Sequence, residues 1–265
     1  MLANLTNLLA LKFRNLRTLI QYGKRHSFNQ DRSSNLFFVQ DGAQKHYFGV
    51  MRRGFSLYRY GLEDRGSFLA NSYCLSHINF DQSDVVIDCG ANYGDLFLFL
   101  KDKIQPENYI SVEPGNTEHQ CLIRNAPRST HVNKGLGNTV ETKTFFLNER
   151  YADSSIIEPP SYSEKLDIDV TTLDALVNEY QIRKIKLLKL EAEGYEPEII
   201  QGSLESLNKI EFIALDGSCE RGIEERGTFS EICNVLFDNN YELVDTNCHV
   251  QRALFKNKLP VNEFN

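Results

Sequence analysis

Lys189, Glu191 and Glu193 place one ammonium group and two carboxylates at alternate positions near the end of a predicted strand. Because side chains alternate across a strand, the three share one face if the strand continues to Glu193. Burial raises the pKa of a carboxyl group and a neighbouring ammonium lowers it, so one acid can be tuned as a proton acceptor. Asp216, after the predicted strand at 210–215, is a third candidate acid. The alternative is a solvated strand end with paired charges.

A turn bracketed by Gly90 and Gly94, with Asn92 between them, follows the apolar run at 85–87. Three apolar residues are too few for a buried helix but suit a strand covered on both faces, and Asp88 is expected to end it. Glycine lets the backbone turn tightly and lets a ligand approach closely. The next apolar run begins a helix whose N-terminus faces that ligand. Strand, glycine turn and helix together predict a nucleotide-type binding site.

The spacing within this turn bears on which ligand it binds. A dinucleotide fingerprint needs three glycines spaced G-x-G-x-x-G, and Asn92 takes the place of the middle glycine. A nicotinamide-dependent oxidoreductase is therefore disfavoured but kept as an alternative, as is a non-catalytic nucleoside-binding module. Asp88, Gly90, Asn92 and Gly94 are instead similar to the first motif of S-adenosylmethionine-dependent methyltransferases, whose ligand presents a zwitterionic methionine to the turn.

Glu113, at the end of the next predicted strand, fits the ribose of such a ligand. An ionised carboxylate offers about four lone-pair sites, so it can accept both ribose hydroxyls at once. Glu113 follows Asp88 by 25 positions, close to the ~20-residue interval expected of a strand–helix–strand unit. We therefore predict that Glu113 binds the ribose.

The chain after residue 85 alternates short strands and helices, which predicts a parallel sheet with helices on both faces. The expected fold class is α/β, with a doubly wound, mostly parallel, Rossmann-like sheet. Residues 241–244 and 253–255 are expected to close the sheet as an antiparallel hairpin. Ligands bind at the carboxyl edge of such sheets, where a second turn at 134–138 contributes Gly135.

Residues 1–78 are predicted to form a helical and β extension before the main domain at 79–265. Residues 1–25 carry apolar side chains at helical spacing followed by basic ones, which matches neither a secretory signal nor a membrane span. This helix is expected to dock on its own domain or on a second subunit of a homodimer, and the alternative is contact with a membrane surface. Alternating residues at 36–60 predict a small β layer with a hairpin turn at Asp41-Gly42.

A further helix at 62–78 is expected to cover the cofactor pocket. The polar residues near it are expected either to face the substrate or to form a solvated basic face: Arg52, Arg53, Tyr60 and Arg65.

Composition limits the class of protein. The 265 residues, 41% of them apolar, can bury one substantial core, and the net charge of −7 argues against a nucleic-acid partner. Six widely spaced cysteines without a C-x-x-C pair indicate reduced thiols in a cytoplasmic protein. The histidines lack metal-ligand spacing, so no metal site is predicted, although a divalent ion held by Glu191, Glu193 and Asp216 stays open.

Four segments together, in order and in separation, resemble the FkbM family of S-adenosylmethionine-dependent O-methyltransferases: 85–95, 109–114, 170–176 and 187–202. The family carries an Asp-Cys/Val-Gly-Ala-Asn-x-Gly-Asp opening, an acid–proline pair after the second strand, and a Lys-x-Asp-x-Glu-Gly-x-Glu block. The likeness covers about residues 79–256. This chain departs from the family in having Glu191 in place of Asp, one methylene longer, and Asp216 in place of Glu.

The resemblance implies methyl transfer from S-adenosylmethionine to a hydroxyl group, commonly on a sugar of a glycolipid, polysaccharide or glycosylated metabolite. An alcohol needs a base, for which Glu191 and Glu193 are candidates, with Lys189 orienting one of them and Asp216 as a third option. The implied cofactor site comprises Asp88, Gly90, Ala91, Asn92, Tyr93, Gly94, Glu113, Gly135 and Ser154.

Four tyrosines fall in predicted loops or element ends near the same edge, where they can pack on a sugar ring: Tyr93, Tyr151, Tyr162 and Tyr195. Isolated surface tyrosines are the alternative interpretation. The predicted acceptor is therefore a small molecule or a glycan.

Overall fold

The structure, a computed structural model, describes residues 2–23, 26–148 and 154–261, so Lys24, Arg25 and Tyr151 lie outside the described residues. The first part of the chain contains α1 (Leu2–Tyr22), β1 (Ser27–Asp31), β2 (Leu36–Asp41), β3 (Gln44–Phe48), α2 (Met51–Leu57) and α3 (Leu62–Ser72). The three strands form an antiparallel sheet in the order β1–β2–β3. This sheet confirms the predicted β layer with its turn at Asp41-Gly42.

The rest of the chain alternates strands and helices as predicted. Its elements are β4 (Val86–Cys89), α4 (Asp95–Leu100), β5 (Tyr109–Val112), α5 (Asn116–Asn125), β6 (Thr130–Val132), β7 (Gly135–Leu136), β8 (Glu141–Leu147), β9 (Glu164–Thr171), α6 (Leu173–Glu179), β10 (Ile185–Leu190), α7 (Glu196–Gln201), β11 (Ile210–Asp216), β12 (Cys219–Arg221), β13 (Arg226–Gly227), α8 (Phe229–Asp238), β14 (Tyr241–Asn247) and β15 (Arg252–Asn257).

Among the described residues, the main sheet has seven strands in the order β14–β15–β11–β10–β4–β5–β6. Neighbours from β11 to β6 are parallel, whereas β15 is antiparallel to both β11 and β14. The predicted doubly wound sheet with a closing antiparallel hairpin is therefore confirmed. The chain runs outward from β4 to β6 and then returns to β10 on the other side of β4, which creates a crevice at the carboxyl ends of β4 and β10.

Apolar layers cover both faces of this sheet. Ile87 of β4 packs in one layer with α6, α7 and α8, while its neighbour Val86 packs in the other with α3 and α4. Burial on both faces explains why the central strands are almost continuously apolar. Asp88 and Lys189 interrupt this pattern, and both are buried at the carboxyl end of their strands.

A second, smaller sheet in the order β7–β9–β8 lies beside the carboxyl edge and carries its own apolar cluster, which includes Phe145 and Val170. The turn at 134–138 was predicted from the sequence, whereas strand β9 was not. The charged residues of β9 alternate with apolar ones because one of its faces is exposed, and its first residues resemble the polar loop that precedes them.

Three predicted boundaries are wrong. The β layer ends at Phe48, since residues 51–57 are helical, and β4 continues through Asp88 instead of ending there. Strand β10 ends at Leu190, so Glu193 does not share a strand face with Lys189. Glu193 has φ +51° and the glycine after it has φ +90°, values in the left-handed region that an extended strand cannot adopt.

The extension packs directly on the main sheet's helices. Tyr93 and Cys121 belong to one apolar cluster with Leu11, Phe28 and Phe48 of the extension. In the part of the chain that is described, we find no helix both long and apolar enough to span a membrane.

Candidate active site

The carboxyl ends of β4, β5 and β10 open into a cavity with about 1030 Å³ of empty space, counted out to its mouth. Its other walls come from α3 and from the small sheet. Ten of the predicted site residues line it: Asp88, Gly90, Ala91, Asn92, Glu113, Gly135, Ser154, Lys189, Glu191 and Glu193.

The glycine turn after β4 approaches the end of β10 at van der Waals contact. Gly90 has φ +71°, and a Cβ added there would lie 1.8 Å from the backbone oxygen of Glu191. Glycine is therefore required both by the backbone conformation and by the close approach. Asn92 also has a left-handed backbone, with φ +50°. Its Oδ1 is buried and has no hydrogen-bond partner among the described residues.

Glu113 joins this turn to the end of β5. Its Oε2 accepts from the Asn92 backbone N–H at 2.9 Å, and its Oε1 accepts from the Gly115 N–H at 2.8 Å. Two backbone bonds leave further lone pairs of the carboxylate for a ligand. Burial, assisted by the neighbouring Glu118 carboxylate, raises the pKa of Glu113 to about 7.

This raised pKa predicts pH-dependent binding of a ribose. Below about pH 7 the Glu113 carboxyl group is protonated and loses acceptor capacity, so affinity should rise as pH rises. We expect the Kd of adenosine to fall roughly tenfold between about pH 6 and about pH 8. Adenosine lacks the amino acid group of the full cofactor, so its own charge does not change in this range. Isothermal titration should show weaker, pH-independent binding for Glu113→Gln. An equal dependence of adenosine affinity on pH in the wild type and in Glu113→Gln would refute the assignment of Glu113 as the ribose ligand.

Lys189 lies beneath the glycine turn and is almost fully buried. Its Nζ donates to the backbone oxygens of Gly90 at 2.9 Å and Cys89 at 3.3 Å. The same ammonium lies 3.2 Å from Asp88 Oδ1 and 2.8 Å from Glu191 Oε2. Burial alone would lower the pKa of Lys189, but the two carboxylates hold it above its ordinary value. Lys189 is therefore a fixed cation that ties the turn to both strands.

Asp88 has little capacity left for a ligand. Its Oδ2 accepts from the Tyr109 hydroxyl at 2.5 Å, and its Oδ1 faces Lys189. Its side chain is 1% exposed. The structure thus places Asp88 at the floor of the cavity as the counter-ion of Lys189.

Glu191 is held on both carboxylate oxygens by cations. Oε2 pairs with Lys189, and Oε1 accepts from Arg252 Nη2 at 2.8 Å. Although burial alone would raise it, these two cations lower the pKa of Glu191 to about 2. Arg252 also donates to Asp216 Oδ2 at 2.7 Å and stacks over the Tyr73 ring, 4.3 Å from its centroid. Glu191 is consequently a weak base in a rigid ion network.

Glu193 differs from Glu191 in its surroundings. The left-handed backbone turns its side chain toward Glu220 of β12, with which it forms a side-chain hydrogen bond. Burial, together with the nearby carboxylates, raises the pKa of Glu220, while a hydrogen bond from Ser218 opposes this. Two carboxyl groups that share one hydrogen bond must hold one proton between them. The pair is therefore a proton-binding unit at the cavity wall.

Glu196, the last acid of the Lys-x-Asp-x-Glu-Gly-x-Glu block, closes the loop between β10 and α7. Its Oε1 accepts from the backbone N–H of Ala192 at 2.6 Å and of Gly194 at 3.4 Å. Its side chain is 1% exposed, and burial raises its pKa to about 7. Glu196 thus fixes the loop that carries Glu193 without itself lining the cavity.

The buried Glu196 should make stability depend on pH. Its folded-state pKa of about 7 exceeds the ordinary value of 4.5, so between these values the folded chain binds more protons than the unfolded chain. The free energy of unfolding therefore falls as pH rises through this range. Glu196→Gln stays neutral throughout. We therefore expect its free energy of unfolding to fall over this pH range by on the order of 3 kcal/mol less than that of the wild type. Urea unfolding at about pH 5 and about pH 7.5 measures this difference, and parallel curves would contradict it.

A second buried ion network borders the cavity at the start of α4. Asp95 accepts from Arg65 Nε at 2.6 Å, from the Tyr58 hydroxyl at 2.7 Å, and pairs with His46 at 2.9 Å. Despite its burial, these groups hold the pKa of Asp95 well below its usual value. Of the four residues expected either to face the substrate or to form a solvated basic face, Arg65 and Arg53 line the cavity. By contrast, Arg52 and Tyr60 are exposed.

Several predicted site residues lie elsewhere. Tyr93 is fully buried in the extension's cluster, 6.5 Å from the Phe48 ring, and does not line the cavity. Gly94, with φ +81°, shapes the turn without reaching the cavity. Tyr162 packs on Phe146 at the surface. Of the described candidate sugar platforms, Tyr195 lines the cavity.

Asp216 does not line the cavity either. Its carboxylate is bound by Arg252 and by the Ser218 hydroxyl at 2.6 Å. The described residues contain no cluster of three His, Cys, Asp or Glu side chains suited to a metal ion. Because Arg252 lies between Glu191 and Asp216, the divalent-ion site considered from the sequence is not assembled.

Three features of the site were missed in the sequence. Arg252 and Glu220 come from β15 and β12, far along the chain, and no local pattern marks them. Glu196 belongs to a block that the sequence analysis had already singled out, so its position four residues after Ala192 could have identified it as a loop-closing acid.

A glycine turn and an acid on successive parallel strands, at the switch point of a doubly wound sheet, define a Rossmann-like nucleoside-binding protein. Residues 88–243 match the family model of the methyltransferase FkbM domain. The chain belongs to the FkbM methyltransferase family. This confirms the predicted family and its cofactor, S-adenosylmethionine.

Solved structures with a similar fold include an FkbM methyltransferase from Methylobacillus flagellatus KT, with 19% identity and a TM-score of 0.48 over 68% of this chain and 45% of that one. TrmK of M. capricolum, solved with S-adenosylhomocysteine, has 11% identity and a TM-score of 0.39 over 72% and 67%. A Streptococcus pneumoniae protein solved with S-adenosylmethionine has 10% identity and a TM-score of 0.41 over 73% and 72%. The present chain spans less than half the length of the Methylobacillus protein. No curated protein matches its sequence.

The residues of the cavity fit S-adenosylmethionine. The unpartnered Asn92 Oδ1 can accept from the ammonium group of a methionine moiety. The remaining lone pairs of Glu113 can accept from ribose hydroxyls. Apolar side chains of the small sheet and of the segment between β8 and β9 offer a surface for an adenine: Leu136, Phe145, Leu147 and Ile156. The cavity thus has a polar end and an apolar end, as the cofactor does.

Proposed function

We propose that this protein is an S-adenosylmethionine-dependent O-methyltransferase whose acceptor is a hydroxyl group of a sugar, in a glycolipid, polysaccharide or glycosylated metabolite. The observation that carries the proposal is the position of Glu193, which lines the cofactor cavity and has Glu220 as a side-chain partner. A hydroxyl is a poor nucleophile until its proton has an acceptor, and this pair provides one.

The reaction needs the chain to position an alcohol and take its proton. Bound S-adenosylmethionine supplies an electrophilic methyl group on a positively charged sulfur. The acceptor oxygen would take that methyl group as the sulfur leaves as a thioether, and Glu193 would accept the hydroxyl proton. S-adenosylhomocysteine and the methyl ether are the products. Positioning of this kind can supply ~7–11 kcal/mol of the barrier.

Glu193 is a better proton acceptor than Glu191. Both side chains line the cavity, but two cations hold the pKa of Glu191 down to about 2. A base is most effective when its pKa lies near the working pH. Glu193 lies beside Glu220, whose pKa is raised by burial, so the two carboxyl groups can hold a proton between them. We therefore assign proton acceptance to Glu193 and positioning to Glu191 and Lys189.

A sugar acceptor suits the composition of the mouth. Arg53 and Arg65 line the cavity and are hydrogen-bond donors for hydroxyl groups. The net charge of −7 disfavours a polyanionic acceptor such as RNA.

Transfer of an isotope-labelled methyl group from S-adenosylmethionine tests the proposal. Acceptors should include glycolipid headgroups, oligosaccharides, glycosylated small molecules and, as a contrasting class, transfer RNA. We expect label in a base-stable methyl ether on a glycan, and no transfer by a Glu113→Gln control. Labelling of RNA or of a nitrogen atom would overturn the acceptor class, and cofactor binding without transfer to any acceptor would favour a non-catalytic module.

A further inference from the structure

Helix α1 presents two different faces, and the inward one combines polar and apolar contacts. Asn15 hydrogen-bonds both the backbone N–H of Phe28 at 2.7 Å and its oxygen at 3.0 Å. Leu11 and Thr18 are buried against the extension, and Tyr22 packs on Tyr60 with ring centroids 5.0 Å apart. The helix is therefore docked on its own chain, which is one of the arrangements predicted from the sequence.

The opposite face of α1 is an exposed apolar stripe. Leu9, Phe13, Leu16 and Ile20 follow one another at spacings of four, three and four residues, which aligns them along one side of a helix. Between 56% and 74% of each side chain is exposed. The helix is already docked through its opposite face, so an apolar stripe that is still exposed indicates a second partner for that stripe.

Basic residues border the stripe. Lys12 and Arg17 are both exposed. At 100° per residue around the helix axis, one lies about 70° to one side of the stripe and the other about 70° to the opposite side. Residues 1–30 contain five basic residues and no acid, which gives this segment a charge of +5. Because the whole chain has a net charge of −7, the rest of the chain carries −12. Long cationic side chains can bury their stems beside apolar neighbours while their heads reach a polar layer.

We propose that the stripe formed by Leu9, Phe13, Leu16 and Ile20 binds to an anionic lipid surface, with α1 lying in the plane of the headgroups. An apolar stripe flanked by cations is the pattern of an interfacial helix. A second copy of the chain is the poorer partner, because it would bring the same flanking cations together. The surface is independent of the cofactor cavity, so this inference does not rest on the proposed reaction.

Co-sedimentation of the full-length chain with phosphatidylserine-containing vesicles tests the inference. We expect binding to these vesicles, little binding to pure phosphatidylcholine vesicles, and marked weakening between about 0.1 M and about 1 M salt, where screening shortens from ~10 Å to ~3 Å. Lys12→Gln with Arg17→Gln should weaken binding by about 25-fold, at roughly fivefold for each cation.

A matched pair of variants separates this stripe from general surface hydrophobicity. Ile20 is 74% exposed on α1 and Ile223 is 68% exposed in the main domain. Ile20→Ser should weaken vesicle binding at least tenfold, whereas Ile223→Ser should leave it unchanged. Equal effects of the two variants would overturn the inference. A wild-type dimer in light scattering that becomes monomeric in Ile20→Ser would also overturn it, by identifying a second copy as the partner.

Discussion

Glu193→Gln should lower the rate of methyl transfer by about 10²–10⁴-fold, the contribution typical of a positioned general base. Glutamine keeps the size of the side chain and can still hydrogen-bond Glu220, but it cannot take a proton from the acceptor. Cofactor affinity should remain within a few-fold of wild type, because Glu193 is not among the groups that hold the glycine turn. The measurement is the single-turnover rate at saturating cofactor and acceptor.

Glu191→Gln is the informative comparison. Glu191 pairs with Lys189 and with Arg252, so its loss should weaken both the fold and cofactor binding. We expect a raised KM for S-adenosylmethionine and reduced stability, in contrast to the selective loss of kcat in Glu193→Gln. If kcat alone collapses in Glu191→Gln and is unchanged in Glu193→Gln, the assignment of the base is wrong.

Lys189→Met should lower the free energy of unfolding by about 3–5 kcal/mol, because it leaves the buried Asp88 carboxylate without its counter-ion. Lys189 is 3% exposed and Asp88 is 1% exposed, so water cannot replace the lost ammonium. The same change removes the two hydrogen bonds that Lys189 donates to the glycine turn. Cofactor affinity should therefore fall together with stability. Urea unfolding and titration with S-adenosylhomocysteine measure the two effects.

A lysine just before the same strand provides the control. Lys184 is 41% exposed and lies 3.5 Å from Glu211, a solvent-exposed pair worth at most about 1 kcal/mol. Lys184→Met should therefore remain soluble and close to wild type in stability. Insolubility of Lys189→Met supports the prediction only alongside a soluble Lys184→Met, and equal stabilities of the two variants would contradict it.

Short sequence patterns were enough to predict the turn and the acid that form one side of the site. The apolar run before Gly90, the glycine spacing and the acid at residue 113 lie within about 30 positions, and the structure brings Gly90, Asn92 and Glu113 to one cavity. The alternation of strands and helices likewise predicted the parallel sheet and its closing hairpin. These features follow from short-range spacing, since a strand, a turn and a helix are each set by a few adjacent residues.

Side-chain partners from distant parts of the chain were beyond such patterns. Arg252 reaches Glu191 across 61 positions, and Ser72 reaches Arg252 across 180. The order of strands β10, β11 and β15 alone brings these groups together. The inward orientation of Tyr93 likewise depends on the extension that packs over it.

The linear chain therefore established the family, the cofactor and the strand that ends at the cavity. Folding gives different surroundings to two acids that look equivalent in sequence. Glu191 lies beside two buried cations, whereas a left-handed backbone at Glu193 directs that side chain to Glu220. The physical reason is that proton affinity depends on the charges within a few ångströms, and those charges come from strands that are neighbours only in the folded sheet.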